Sequence, residues 1–239
     1  FCGYHGWHDF YSITTDKSKG IPQAYKQFIH PFIYNDIGSL MNLFSTHDKK
    51  IACVIMEPIT FTPPKDDFLQ KVQFLCRKNG TVLIFDEMVT GFRLDIGGAQ
   101  AYFGVTPDLA TFGKGIANGM PLAAVVGRKD IMREFEDVEG GVFFSTTFGG
   151  ETLSLAAAKA TITEMIAREV PKYFAYCGLN LMTKAKRVEG ISITGHPSRP
   201  MLLMDNETQE SRSLLMQELV KRGILTHSGA LNFCYSHVT

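Results

Sequence analysis

A mostly parallel α/β sheet with helices on both faces is the fold this sequence predicts. Short apolar runs suited to buried strands recur at 51–56, 82–85, 109–112 and 122–126, each a few residues long. Between them lie stretches with helical spacing, the alternation expected of βαβ units, and no internal repeat or low-complexity tract interrupts it. With 239 residues and 45% apolar composition, the chain has enough material for a sizeable core in one large domain or two smaller ones.

Glu57-Pro58 closes the first run, since proline offers no N–H to a ladder. A helix is expected over 68–78, leading into the strand Val82-Leu83-Ile84-Phe85 that ends on Asp86. The third run, Leu109-Ala110-Thr111-Phe112, is followed by Gly113-Lys114-Gly115. A helix from 152 to about 169 would present Leu153, Leu155, Ala156, Ala160, Ile162 and Ile166 on one face. A second unit is expected to begin near Val170-Pro171, with strands at 191–194 and 201–204 and a helix at 211–222 stopped by Gly223.

Asp86 and Lys114, 28 residues apart, stand where such a fold displays reactive groups, at the carboxyl ends of strands. The glycines flanking Lys114 let the backbone turn and keep the amine reachable. An amine able to form a Schiff base and a carboxylate able to hold a pyridine nitrogen protonated are the two groups that pyridoxal phosphate chemistry needs. Each has a plainer alternative: an acid after a buried strand often caps a helix, and a lysine after glycine is often only solvated.

The surrounding residues add to the pair. The segment 82–132, VLIFDEMVTGFRLDIGGAQAYFGVTPDLATFGKGIANGMPLAAVVGRKDIM, closely resembles the class III pyridoxal phosphate aminotransferases, and most closely their glutamate-1-semialdehyde aminomutase branch. IFDEMVTGFR is similar to the family's pyridine-binding strand and turn, GVTPDLATFGKGIANGMP to its lysine segment, STTFGGE to its phosphate-contacting turn, and GYHGWHD to the segment whose tyrosine covers the ring. Weaker similarity, in GHPSRPMLLM and ELVKRGIL, continues into the last third.

That resemblance implies the aspartate aminotransferase-like fold of type I pyridoxal phosphate enzymes, with residues 1–169 as the large cofactor-binding domain and 170–239 as part of a smaller C-terminal α+β domain. It implies that Lys114 carries the cofactor and is catalytic, and that Asp86 pairs with the pyridinium. Met88 would pack beneath the ring, where the family usually has valine; Tyr4 would cover the other face, with His5 close by. Thr147 would bind the phosphate of the neighbouring subunit's cofactor, which implies a homodimer. Glu151 stands where the family commonly has asparagine, an acid that would repel a phosphate if it faced inward. Amino-group transfer to or from a small carbonyl or amino substrate is the implied reaction. Intramolecular transfer by an aminomutase is the first alternative, and an inactive remnant or dimerisation module is the second.

Both ends read as cut: the chain opens on Phe1-Cys2-Gly3, and the small-residue turn that would set a helix amino terminus against a phosphate is not found before Tyr4. That turn is expected in a preceding part of the parent protein. The stretch 172–190 also reads as shorter than the family's usual helix and connection.

Lys plus Arg and Asp plus Glu both total 24, so no net field draws the chain to nucleic acid or an anionic membrane. No apolar run approaches the ~20 residues of a membrane span, and a cytoplasmic location is expected. The five cysteines, odd in number and without a CxxC pair, read as reduced thiols. The two histidines of His5-Gly6-Trp7-His8-Asp9 lack further ligands at zinc spacing, so no metal site is expected. Gly113-Lys114-Gly115 lacks the spacing and the Ser or Thr of a P-loop. Glu57 and Arg93 each have two readings: orienting active-site groups or a buried structural bond for Glu57, binding a substrate carboxylate or bracing the turn after Asp86 for Arg93.

Overall fold

Strands β1 (Cys53–Met56), β2 (Val82–Asp86) and β3 (Leu109–Phe112) lie side by side and parallel, and β4 (Ala124–Gly127) joins β3 antiparallel. The computed structural model describes residues 1–136, 139–226 and 229–238. Cys2 makes a parallel bridge to Met56, so the opening residues run along the outer edge of β1.

Val54 and Met56 on β1, Leu83 and Phe85 on β2 alternate onto one face of the sheet and are all buried. Against that face packs α3 (Phe68–Asn79), whose buried Phe68, Leu69, Val72 and Cys76 follow helical spacing. Each such side chain, fully buried, contributes about 1.5–3 kcal/mol. A second helix of this layer, α2 (Ile37–Thr46), adds Leu40 and Phe44 and starts where the Asp36 carboxylate accepts the Ser39 N–H at 3.1 Å. Two further short helices, α1 (Asp9–Ser12) and α4 (Gly98–Phe103), precede β1 and β3 in the chain, and α5 (Lys129–Met132) follows β4.

On the opposite face, Ile116 and Ala117 pack with Ala158 of α6 (Thr152–Ala167). The buried residues of α6 are Ser154 and Ala158, with Ile162 half-buried; Leu153, Leu155 and Ile166 are exposed. The expected face of large apolar residues is therefore corrected: small side chains let the helix approach the 116–117 turn closely. The helix stops at Ala167 rather than near 169, where Glu169 takes a left-handed φ of 48°.

The second unit begins with α7 (Val170–Ala185), which fills most of the 172–190 stretch that reads as shorter than the family's usual helix and connection. It packs on the antiparallel hairpin β5 (Ile191–His196) and β6 (Arg199–Met204), and α8 (Gln209–Lys221) follows. Its first turn opens at Gln209, earlier than expected, because Thr208 and Ser211 exchange side-chain and main-chain hydrogen bonds in a capping box. Gly223, at φ 76°, ends it as expected: its N–H reaches Val220 O and that of Ile224 reaches Leu219 O, both at 2.9 Å. Residues 229–231 return to pair with β6.

Strand β4 begins at Ala124 rather than 122 because its partner β3 ends at Phe112, leaving earlier residues unpaired. The join between α7 and the hairpin turn is tight at Gly178, where an added Cβ would stand 1.8 Å from the Pro197 carbonyl oxygen. Backbone cannot yield as a side-chain tip can. Gly178→Ala is expected to lower stability by about 1–3 kcal/mol through overpacking, against alanine's own advantage in a helix, and a fall in the denaturant midpoint measures it.

Candidate active site

Parallel register places Asp86 beside Thr111, so the ends of β2 and β3 open at one edge of the sheet, with Gly113 and Lys114 just beyond. Asp86 is largely buried. Its Oδ1 accepts the Met88 N–H at 3.1 Å and the Thr111 hydroxyl at 3.4 Å, and its Oδ2 lies 2.9 Å from His5 Nδ1. Burial pushes the Asp86 carboxyl up. The hydrogen bonds from His5 and the Met88 amide, with the positive charges of His5 and Lys114, outweigh it and hold the group below the ordinary carboxylate value.

His5 arrives on the segment that follows Cys2, and its other nitrogen, Nε2, lies 3.1 Å from the Cys2 carbonyl oxygen. Carboxylate and carbonyl oxygens both accept, so both contacts become hydrogen bonds only when both ring nitrogens carry hydrogen. The imidazole then faces Asp86 as a cation, nearly out of solvent, with 3% of its side chain exposed.

Lys114 is exposed, and among the described residues it makes no ion pair. Its φ of 47° is left-handed, a conformation that costs a non-glycine residue about 1–2 kcal/mol and that clusters at functional positions. Met88 lies directly against the backbone before it: a Cβ on Gly113 would come within 2.4 Å of the methionine methyl. Asp86, Met88, His5 and Lys114 are thus brought together from three separate parts of the chain.

The other two candidates make no described hydrogen bond to this group. Tyr4 is 59% exposed, with its ring edge-on to Tyr11 at 5.2 Å. Thr147 sits on an exposed turn before α6, and among the described residues no hydrogen bond links it to the Asp86–Lys114 group. Glu151 turns its carboxylate onto the N–H groups of Leu153 (2.9 Å) and Ser154 (2.6 Å), capping α6.

Glu57 pairs with Arg199 at 3.0 Å, and Arg93 reaches the Ser198 and Phe233 carbonyl oxygens at 3.3 and 3.4 Å while stacking on Phe174. Arg93 therefore braces the hairpin turn and the returning C-terminal segment. A cleft of about 820 Å³ lies beside it, lined by Lys114, Phe92, Arg93, Glu164 and Arg199 among others; Asp86 and His5 do not line it.

Glu87 escaped the sequence analysis, hidden between Asp86 and Met88. Fully buried, it accepts the Ala99 and Gln100 N–H groups at 2.7 and 2.8 Å and the Thr90 hydroxyl at 2.7 Å, fixing the turn that follows Asp86 to the start of α4. Gly98, at φ 81°, leaves room for it, since a Cβ there would meet a Glu87 oxygen at 2.6 Å. The Gly97-Gly98 pair was the available signal.

The family model described as Aminotransferase class-III matches residues 3–226. Among curated proteins, the chain is 39% identical over 191 residues to glutamate-1-semialdehyde 2,1-aminomutase of Alkaliphilus oremlandii, covering 77% of this chain and 45% of the relative. It is 43% identical over 192 residues to glutamate-1-semialdehyde 2,1-aminomutase 1 of Lachnoclostridium phytofermentans, covering 75% and 44%. Among solved structures, an omega-transaminase from Sphaerobacter thermophilus superposes with a TM-score of 0.84 at 26% identity, over 98% of this chain and 63% of that one. The chain spans less than half the length of the two curated relatives. It belongs to the class III aminotransferase family, and its mostly parallel α/β sheet is the type I fold expected from the sequence.

Proposed function

We propose that this chain forms the core of a pyridoxal phosphate-dependent enzyme that transfers an amino group to or from a small carbonyl or amino substrate. The observation that carries the reading is the meeting of Asp86, backed by His5, with Met88 and the left-handed Lys114 at adjoining strand ends.

These residues fit that cofactor. Asp86 is ionised, and its described bonds leave room on the carboxylate for a further donor such as a ring N–H. Lys114 offers an amine held by no ion pair among the described residues. When bound, pyridoxal phosphate supplies an aldehyde for that amine and a ring that withdraws electrons from the substrate carbon. Asp86 would hold a proton on the pyridine nitrogen, with His5 keeping the carboxylate oriented and charged. Met88 and Tyr4 would cover the two faces of the ring. The Lys114 amine would hold the cofactor and, when free, would move a proton at the reacting carbon of the substrate.

In this reading residues 1–169 form the large cofactor-binding domain and 170–239 part of the smaller one, in a cytoplasmic homodimer. Thr147 reaches the phosphate of the neighbouring subunit's cofactor. Support for a covered surface there comes from Phe143, Phe148 and Leu153, which flank the turn and are 93%, 77% and 61% exposed. The test is reduction with borohydride in the presence of pyridoxal phosphate, followed by peptide mapping of the full-length protein. A pyridoxyl label on Lys114 is expected, and a label absent or confined to other lysines rejects the assignment.

Intramolecular transfer is the second reading, favoured by the 39–43% identity to proteins named as aminomutases. Turnover of a single amino-carbonyl substrate without a second amino acceptor distinguishes it. An inactive remnant loses one of its motives, because Glu151 is engaged in capping α6.

A further inference from the structure

Glu57 and Arg199 form a buried ion pair that has no part in the reaction described above. The side chains are 10% and 11% exposed, and Arg199 Nη1 lies 3.0 Å from Glu57 Oε2. The guanidinium also donates to the Ile59 carbonyl at 3.2 Å and stacks on Phe61. Burying two charges is costly, and an apolar pair would hold the β5–β6 hairpin against the sheet as well. The second carboxylate oxygen shows a different use: Glu57 Oε1 accepts the main-chain N–H of Tyr4 at 3.1 Å.

We propose that Glu57 is a positioning residue for the amino-transfer site, through which Arg199 of the hairpin sets the placement of Tyr4 and His5 and hence the orientation of Asp86. The inference rests on the proposed function for its catalytic consequence, though the contacts themselves do not. The segment is fastened at each step. Cys2 donates its N–H to Ile55 O at 3.0 Å and its carbonyl accepts the Glu57 N–H at 3.1 Å. Gly3, at φ 106°, lies flat against the Glu57 side chain, where an added Cβ would stand 3.0 Å from Oε1. Tyr4 is then held by Oε1, and the next residue, His5, spans from the Cys2 carbonyl to Asp86.

The path therefore runs from Arg199 through one carboxylate to a main-chain amide and on to the imidazole that anchors Asp86. Arg199 and Glu57 are 142 residues apart in the chain, so this contact is where the hairpin's position is felt at the edge of the sheet. Without the arginine, Glu57 is a buried, unpaired charge free to turn toward water, and the Tyr4 amide loses its acceptor.

Coupling of this kind is established by a double-mutant cycle read at His5 itself. In the full-length protein without cofactor, labelled with ¹⁵N-histidine, the His5 Nδ1–H resonance is assigned by its loss in His5→Asn and its solvent exchange is followed. Glu57→Gln and Arg199→Met are each expected to speed that exchange tenfold or more. The double variant is expected to be no faster than the faster single one, and Arg199→Lys to recover most of the protection. In the cofactor-loaded protein the same variants should lose kcat about in proportion while KM stays within twofold. Exchange within twofold of the parent in Arg199→Met, or additive effects in the double variant, overturns the proposal, whatever happens to the melting point. Should Glu57→Gln fail to fold, the two Arg199 variants decide alone. Because exchange is read without cofactor, absence of a label on Lys114 would reject the proposed function and leave this result standing.

Discussion

Lys114→Ala is expected to abolish the borohydride-stable label and to reduce turnover by about 10⁴-fold or more, the scale seen when a covalent-catalysis residue is removed. The fold should survive. Lys114 is exposed, forms no ion pair among the described residues and holds a left-handed φ, so its removal breaks no described contact. Alanine does not relieve that φ, which only glycine adopts freely. A Lys114→Gly variant should therefore be at least as stable as Lys114→Ala while equally inactive, which separates the chemical role of the amine from any effect on folding. Turnover near that of the parent in either variant removes Lys114 from the mechanism.

Asp86→Asn is the second large effect. The amide keeps the shape of the carboxylate and can accept from His5 or the Met88 N–H, but it carries no charge to hold a proton on a pyridine nitrogen. Loss of that preorganised charge is expected to slow turnover by about 10²–10³-fold. Stability should fall by only about 1–3 kcal/mol, the worth of a hydrogen bond to a charged group. In the parent protein the hydrogen bonds and charges around Asp86 hold it below the ordinary carboxylate value. It remains ionised at neutral pH, and its protonation should lower the rate only in acid below the ordinary carboxylate range. An unchanged rate in Asp86→Asn would show that the carboxylate is structural.

The strands were legible because a parallel sheet covered by helices demands continuous apolar runs, and VLIFD and LATF end on the residues that the fold displays. Local rules also placed the stop at Gly223 and the helix before β2. What escaped was set by contacts distant in sequence. His5 meets Asp86 across 81 residues and Glu57 meets Arg199 across 142, and no periodicity announces either. In helix α7, Pro171 sits in the first turn, where its missing N–H costs nothing, and Gly178 touches the Pro197 backbone, a contact that no local pattern announces. The buried face of α6 differs from the expected one because it is built on Ser154 and Ala158, with Ile162 half-buried beside them and Leu153, Leu155 and Ile166 turned outward. Tyr4 and Thr147 were singled out by resemblance, and neither makes a described contact with Lys114 in this chain.

The central claim is that Asp86 and Lys114 serve one ring from two sides, and a crystal structure of the full-length protein grown with pyridoxal phosphate tests it most directly. The account predicts continuous density from Lys114 Nζ to the cofactor and a ring nitrogen about 3 Å from Asp86. A ring nitrogen facing solvent or another side chain, or a cofactor joined to a different lysine, would contradict it.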